Sequence, residues 1–406
     1  MNFTFAWRYF KSKKTTNAIN IIAWVSVIAI AVVTAAIIIL LSVFNGFEGL
    51  VKGLYADFYA DIKISATEAK TLHLSLEKLA QLKQVKGVLN YSCIAEEKAV
   101  VLNDNYQSIV VLKGVDKNYT TVSNIKNYIS RGKFETGNTA HPQIILGAGV
   151  ENAVNADVEH AISPLLLYLP NKKSTASITS LESFNSATIM PIGSFLVQQE
   201  FDNKYAFSNL DFIKYMLDMS ADEYTAVEVK INISAKPNDV KDELVKLLGN
   251  NFKVETRYEQ NRSLYKIMQV EKWFIYALLS LIMLVAAFNI VGALTMLVLD
   301  KKKDIHILKA MGANNYVIQK IFLSEGVLLA SIGGLIGIVL ATIICVIQQK
   351  FHLIKLQGGT FIIDYYPVQM QAIDFLLTVI TIAIIALMAS WIPSRKAATA
   401  VETLKS

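Results

Sequence analysis

Four stretches of this chain contain no Asp, Glu, Lys or Arg, and they constrain it more than any other feature. They run from Thr15 to Phe47, Trp273 to Leu299, Gly326 to Gln349 and Phe375 to Ser394. Roughly 20 apolar residues, each rising 1.5 Å, cross the hydrocarbon of a bilayer, so every one of the stretches is long enough to span. A core helix of a soluble domain rarely runs so far without a charge. Composition agrees: 53% of the 406 residues are hydrophobic and 18% charged, against about 25% charged in a soluble domain. The fold class expected is a membrane α-helical protein with four transmembrane helices.

Residues 1–14 carry Arg8, Lys11, Lys13 and Lys14 among Phe3, Phe5, Trp7, Tyr9 and Phe10. This mixture suits a cytoplasmic segment anchored at headgroup depth. The apolar run behind it is about twice too long for a signal-peptide core, and no A-x-A site follows, so it reads as a retained helix over 15–47. Short-loop basic residues set orientation. The loop 300–325 holds Lys301, Lys302, Lys303, Lys309 and Lys320, and the tail 395–406 holds Arg395, Lys396 and Lys405. The loop 350–374 holds only Lys350 and Lys355, beside Asp364 and Asp374. Both termini and the loop 300–325 are therefore expected in the cytoplasm, and 350–374 outside. The net charge of +6 follows from this topology and calls for no nucleic-acid partner.

Residues 48–272 then form a large extracytoplasmic α+β domain inserted between helices 1 and 2 (273–299), with helices 3 (326–349) and 4 (375–394) following. Asp61–Ser65 alternates like a strand, and Leu74–Gln84 has helical spacing. Val88–Ala95, Ala99–Leu102 and Ser108–Lys113 read as short strands, with Asn103-Asp104-Asn105 as a turn. Near the other end, Tyr224–Ile233 alternates, Pro237 opens a helix through Leu248, and Phe252–Thr256 is a strand. Two strand–helix–strand units thus flank a polar, β-prone insert at about 141–205, whose Asn171–Ser186 stretch reads as an exposed loop. Cys93 is alone in this domain and Cys345 lies in a span, so no disulfide holds the domain together. Leu50, Val51, Leu54 and Phe58 continue the helical spacing of the first span, and Leu264, Ile267 and Met268 anticipate that of the second. The uncharged residues 15–47 alone would make a helix about 50 Å long, against roughly 30 Å of hydrocarbon, so with these extensions a two-helix stalk is expected.

Several chemistries find no residues. There is no G-x-x-x-x-G-K-[ST] loop, and Gly147-Ala148-Gly149 lacks its lysine and reads as a turn. The histidines at 73, 141, 160, 306 and 352 are scattered without metal-ligand spacing. No nucleophile triad can be argued. The spans contain no ionisable residue that would mark an ion path. Asn289 is the most polar residue deep in a span and suits an interhelical hydrogen bond.

The loop from Asp300 to Tyr316 reads DKKKDIHILKAMGANNY. Asp304 favours the positive end of a helix dipole. Ile305, Leu308 and Met311 fall on one side of a two-turn helix, Gly312 can end it in a left-handed conformation, and Asn314 or Asn315 can cap the next. A short basic helix with an apolar edge suits a partner's groove or the lipid surface.

The stretch Asp300–Ala341, DKKKDIHILKAMGANNYVIQKIFLSEGVLLASIGGLIGIVLA, resembles the signature of FtsX-like ABC transporter permeases. Leu41–Val51, the segment VETRYEQNRSLYKIMQVEKWFIYALLSLIMLVAAFNI and the tail IPSRKAATAVETLKS resemble the lipoprotein-releasing branch. The insert matches only in PIGSFLVQQEFDNKYAFSNL (Pro191–Leu210), and His306 stands where the pattern has a small residue. The resemblance implies a non-catalytic permease without cofactor of its own, in the inner membrane. ATP is bound by a partner, a dimer of cytoplasmic ABC ATPase subunits, docked through Asp304, Ile305, Leu308, Lys309, Met311 and Gly312. It implies a second permease subunit, with Gly333, Gly334 and Gly337 at a dimer seam or in helix packing. It implies an acylated protein substrate admitted sideways from the membrane lipid near Val43, Ile275 and Asn289, and handed to a periplasmic lipoprotein carrier that an insert loop such as Asn171–Ser186 would dock. The alternatives are a sibling exporter of peptides or drugs taken from the periplasm, a signalling permease controlling a cell-wall hydrolase, and an adhesion or receptor protein that uses no ATP. The outer domain is larger than the signalling branch carries, and the adhesion reading leaves the coupling loop unexplained.

Overall fold

The computed structural model describes residues 17–160, 163–171, 183–356 and 363–399. The N-terminal anchor, the middle of the Asn171–Ser186 loop and the tail beyond Thr399 lie outside these residues. In chain order the elements are α1 (Asn17–Phe58), β1 (Ile62–Ala66), β2 (Leu72–His73), α2 (Leu76–Gln84), β3 (Val88–Asn103), β4 (Tyr106–Val115), α3 (Tyr119–Val122), β5 (Ile129–Gly132), β6 (Gln143–Gly147), α4 (Ala148–Ala153), β7 (Leu165–Pro170) and β8 (Phe184–Phe195). They continue with α5 (Gln199–Asp202), β9 (Tyr205–Asn209), α6 (Leu210–Met216), β10 (Glu223–Tyr224), β11 (Ala226–Ile231), α7 (Pro237–Leu248), β12 (Phe252–Thr256), α8 (Arg257–Gln260), α9 (Arg262–Asp300), α10 (Lys302–Ala310), α11 (Asn315–Phe351) and α12 (Ala372–Thr399). Two compact units result: one of residues up to Leu50, Lys266–Leu356 and from Tyr365, the other built on Val51–Tyr265.

The first unit is helical. Among the described residues, four helices (α1, α9, α11 and α12) are long and apolar enough to cross a membrane. They share one core, in which Ile37 and Leu41 of α1 meet Met283 and Ile290 of α9, Phe322 and Ala330 of α11, and Ile382 and Ile385 of α12. Helices α9, α11 and α12 overrun their uncharged stretches at both ends and α1 overruns its stretch at the C-terminal end, so charges that bound those stretches in sequence are helical. Glu325 and Asp374 are buried in the bundle, where the expectation placed them at its borders. A search for charge-free runs stops at the first charge and cannot tell a charge that meets water from one that turns inward.

Gly333 and Gly337 let α11 approach α1. A Cβ on Gly333 would lie 2.7 Å from the Val27 carbonyl oxygen, and one on Gly337 would lie 2.5 Å from the Ala31 oxygen. A Cβ on Gly334 would lie 3.0 Å from Ile382 of α12. These glycines pack helices of the same chain. Of the two roles expected of them, a dimer seam or helix packing, these intrachain contacts match helix packing.

The second unit is α+β. Strands β12-β1-β11-β3 lie side by side, all antiparallel, so strands from both ends of the segment complete one layer. In chain order β1, α2, β3 and then β11, α7, β12 give two strand–helix–strand units. Leu79 and Leu82 of α2 and Val240, Leu244 and Leu248 of α7 bury against this layer. Between the two units the chain closes a ring, β3-β4-β9-β6-β8-β7 and back to β3. Closure satisfies the backbone groups that free edges would expose. Leu112, Leu146, Leu167, Ile189 and Ala206 are buried in its core.

Strand β3 is continuous over 16 residues, where two short strands were expected. Glu96, Glu97 and Lys98 break the apolar alternation but not the ladder, since β3 changes partners there from β11 to β4 and β7. The insert consequently begins within β3 and extends past 141–205. Asp104 supplies the turn to β4 with φ of +50°.

The glycine contacts generate a paired test. Gly337→Val should lose about 1–3 kcal/mol through overpacking against the α1 backbone. Gly292→Val in α9, where no atom lies within 4 Å, should change stability by less than about 0.5 kcal/mol. Thermal unfolding of the two variants in the same detergent checks the difference.

Candidate functional site

Helix α10 connects α9 to α11 and is fixed to the bundle from within. Ile305 is 2% exposed and joins Leu297, Ile318, Phe322 and Ala397 in the core. Lys309 Nζ donates to the Ala398 carbonyl at 2.8 Å, near the C-terminal end of α12 where a cation is favoured. Lys301 Nζ lies 3.4 Å from Asp304 in the first turn. Gly312 adopts φ of +94°, and Asn314 accepts from Val317 N–H at 2.9 Å to cap α11. The expected stripe of Ile305, Leu308 and Met311 is therefore divided. Ile305 faces the bundle, Leu308 is half-buried, and Met311 is 79% exposed. The open apolar edge is formed by Ile307 and Met311, four residues apart and so on one face, with Tyr316 at the start of α11. Sequence reasoning missed Ile307, although its spacing to Met311 was available.

The residues expected to admit a substrate differ in exposure. Val43 and Ile275 are half-buried, and Asn289 is exposed on α9. At the bundle end reached by Asn45, Lys272 and Asp374, three polar side chains meet. Lys272 Nζ lies 3.2 Å from Asp374 Oδ1 and donates to Asn45 Oδ1 at 2.8 Å, while Asn45 Nδ2 donates to Asp374 Oδ2 at 2.5 Å. The charge-free stretches 273–299 and 375–394 stand as read, and the charges that border them, Lys272 and Asp374, are paired with each other on helices α9 and α12.

In the α+β unit, the last turns of α1 are clamped. Phe58 is 1% exposed and stacks on Phe201 with ring centres 4.1 Å apart. Tyr55 donates to Glu200 at 2.5 Å. The Asp57 carbonyl, one of the orphan acceptors at a helix end, accepts from Asn124 N–H at 3.1 Å and Ser123 Oγ at 3.1 Å. The Asp57 carboxylate accepts from Tyr128 at 2.5 Å and Asn124 Nδ2 at 2.7 Å. Beneath Phe58, Lys113 and Glu228 pair at 2.6 Å with both side chains 2% exposed. Burial pushes the Lys113 ammonium down, but the Glu228 carboxylate outweighs it and holds Lys113 above the usual lysine range. Lys113 also donates to the Tyr119 hydroxyl at 3.1 Å. Arg257, just before α9, pairs with Asp61 at 2.5 Å and reaches the Tyr59 carbonyl at 3.3 Å. The exit of α1 and the approach to α9 are tied together through this arginine.

The helical unit thus carries an exposed apolar edge at Ile307 and Met311, and the α+β unit holds the last turns of α1. Residues 276–401 match the family described as FtsX-like permease C-terminal. The lipoprotein-releasing system transmembrane protein LolE of Haemophilus influenzae is 28% identical over 98% of this chain and 96% of its own length. LolC of Xylella fastidiosa is 25% identical over 95% of this chain and 92% of its own. Among solved structures, the periplasmic region of MacB from Actinobacillus actinomycetemcomitans covers 53% of this chain and 95% of that chain at 11% identity, with a TM-score of 0.38.

The buried pair under Phe58 yields a prediction. Glu228→Gln should cost about 3–5 kcal/mol, since it strands a buried ammonium, whereas replacing both partners by apolar residues should cost far less. Denaturant unfolding of the single and double variants measures the gap.

Proposed function

We propose, on the FtsX-like permease domain at residues 276–401, that this chain is the permease subunit of an ABC transporter that releases lipoproteins from a membrane. It takes acylated protein from the outer leaflet of the inner membrane and passes it to a soluble periplasmic carrier. Similarity over nearly the whole chain to LolE and LolC supports the cargo. The observation that carries the mechanism is α10, a helix held inward by Ile305 and Lys309 with Ile307 and Met311 left open.

In this reading both termini and α10 are cytoplasmic, and the α+β unit is periplasmic. Two ATPase subunits grip α10 and its counterpart on a second permease subunit. Because Ile305 belongs to the bundle core and Lys309 holds the end of α12, a displacement of α10 displaces the bundle rather than a loop. Helix α1 carries that displacement outward. It is continuous for 42 residues, roughly 60 Å at 1.5 Å per residue, or about twice the hydrocarbon thickness. Its last turns are clamped by Phe201, Glu200 and the residues that cap Asp57, so the helix end moves the strands it touches. The cargo's acyl chains enter sideways near Val43 and Ile275 and need no polar path through the bundle.

Two measurements test this. Ile307→Asp and Met311→Asp, like Leu308→Asp, should leave membrane insertion intact and reduce permease-stimulated ATP hydrolysis to the rate of the ATPase alone. Normal stimulation in all three would refute the docking role. Photocrosslinkers at Val43 and Ile275 should capture acylated protein, and capture of unacylated peptide alone would shift the cargo to the exporter alternative.

A further inference from the structure

The bundle carries one polar cluster whose purpose the transport reading does not assign. Asn45 of α1, Lys272 of α9 and Asp374 of α12 bond one another in a closed triangle. The segment before α12 folds over it. Gln369 N–H donates to the Ser42 carbonyl at 2.8 Å, and Asn45 Nδ2 reaches the Gln369 carbonyl at 3.3 Å. A Cβ on Gly46 would fall 2.2 Å from the Pro367 oxygen, so only glycine permits this approach. The same segment is held to α11, because Gln348 Nε2 donates to the Tyr366 carbonyl at 3.2 Å and Gln349 Nε2 to the Val368 carbonyl at 2.9 Å. All four helices are thereby gathered at one end by polar contacts.

The partners are unequal. The Asp374 side chain is 2% exposed and is fixed by Asn45, whereas that of Lys272 is 23% exposed and reaches in on a flexible stem. A buried ion pair is close to balanced: the attraction between the charges is offset by the hydration they give up. Where water reaches the parted helices, separation returns that hydration to them. A contact of this kind can open and close, while an apolar seam of the same area has no such compensation.

We propose that Asn45, Lys272 and Asp374 form a releasable polar latch that holds α1, α9 and α12 together, and that α1 and α9 separate only when Lys272 leaves it. The amide of Asn45 is the adaptor: its oxygen faces the ammonium and its nitrogen the carboxylate. This inference goes beyond the transport reading and holds for any cargo or motor.

The full chain in lipid nanodiscs tests it, with spin labels at Leu40→Cys and Phe274→Cys, which are exposed, and Cys93 and Cys345 replaced. Distances between the labels are read by pulsed dipolar spectroscopy. With the latch intact one distance should dominate, and any longer one should hold roughly 0.1–10% of molecules. Asp374→Asn should raise the longer population about tenfold or more, and Lys272→Met serves if that variant does not purify as a single species. Exchanging the pair (Lys272→Asp with Asp374→Lys) should restore the short distance, because the Asn45 amide can turn over to match it. A parental distribution in both single variants would overturn the latch, as would an exchange variant as open as the singles. The assay uses no nucleotide and no lipoprotein, so its failure is separate from failure of the transport reading.

Discussion

A backbone inside hydrocarbon has no water to bond, so each of its N–H and C=O groups must be satisfied within the structure. That constraint makes α1 what it is. A helix bonded along its whole length is the simplest element that can cross a bilayer. Its sequence holds no proline, the residue that would remove a bond from the ladder and kink it. Gly46 and Gly49 weaken the helix slightly, and both sit where the segment before α12 approaches; a Cβ on Gly49 would lie 2.9 Å from Gln369 Oε1. They allow contact and leave the ladder whole.

The two buried ion pairs serve different mechanical ends. Lys113 and Glu228 are both closed off, with Tyr119 and Phe58 above the ammonium at 4.9 and 5.9 Å from the ring centres. Neither charge can leave without crossing apolar surface, so this pair fixes the end of α1 in the sheet. Lys272 and Asp374 share the same chemistry, but Lys272 lies at a partly open position. Burial on both sides makes a joint, and burial on one side makes a catch.

Much of the layout was legible because it follows from periodicity. The spans, Pro237–Leu248, Phe252–Thr256, the left-handed Gly312 and the Asn314 cap all depend on residues close in sequence. What escaped depends on partners far away. Whether Gly333 faces another chain or Val27 is decided by a helix some three hundred residues earlier in the chain. Asp374 reads as a border charge until Lys272 and Asn45 are placed beside it. Strand β3 reads as two strands because Glu96 and Glu97 interrupt the alternation, and only the ladder to β4 shows them to be one. The division of α10 was within reach. In a nine-residue helix the faces of Ile305 and Ile307 are about 200° apart at 3.6 residues per turn, so both cannot meet the same partner.

That division gives the bundle two unlike ends. Lys272 lies near the start of the part of α9 that belongs to the helical unit, and α9 finishes at Asp300, where α10 starts, so the proposed catch and α10 lie toward opposite ends of the same bundle. The α10 end is secured by Ile305 among Leu297, Ile318, Phe322 and Ala397. Apolar contact of this kind is lost gradually as surfaces part and regains nothing from water in return. The other end is secured by directional bonds that either form or do not, and whose members are solvated once apart. In the proposed mechanism, force applied at the apolar end is therefore transmitted, and force arriving at the polar end produces a discrete change. A bundle fastened the other way round would yield at the point of contact and deliver little to the helix that leaves it.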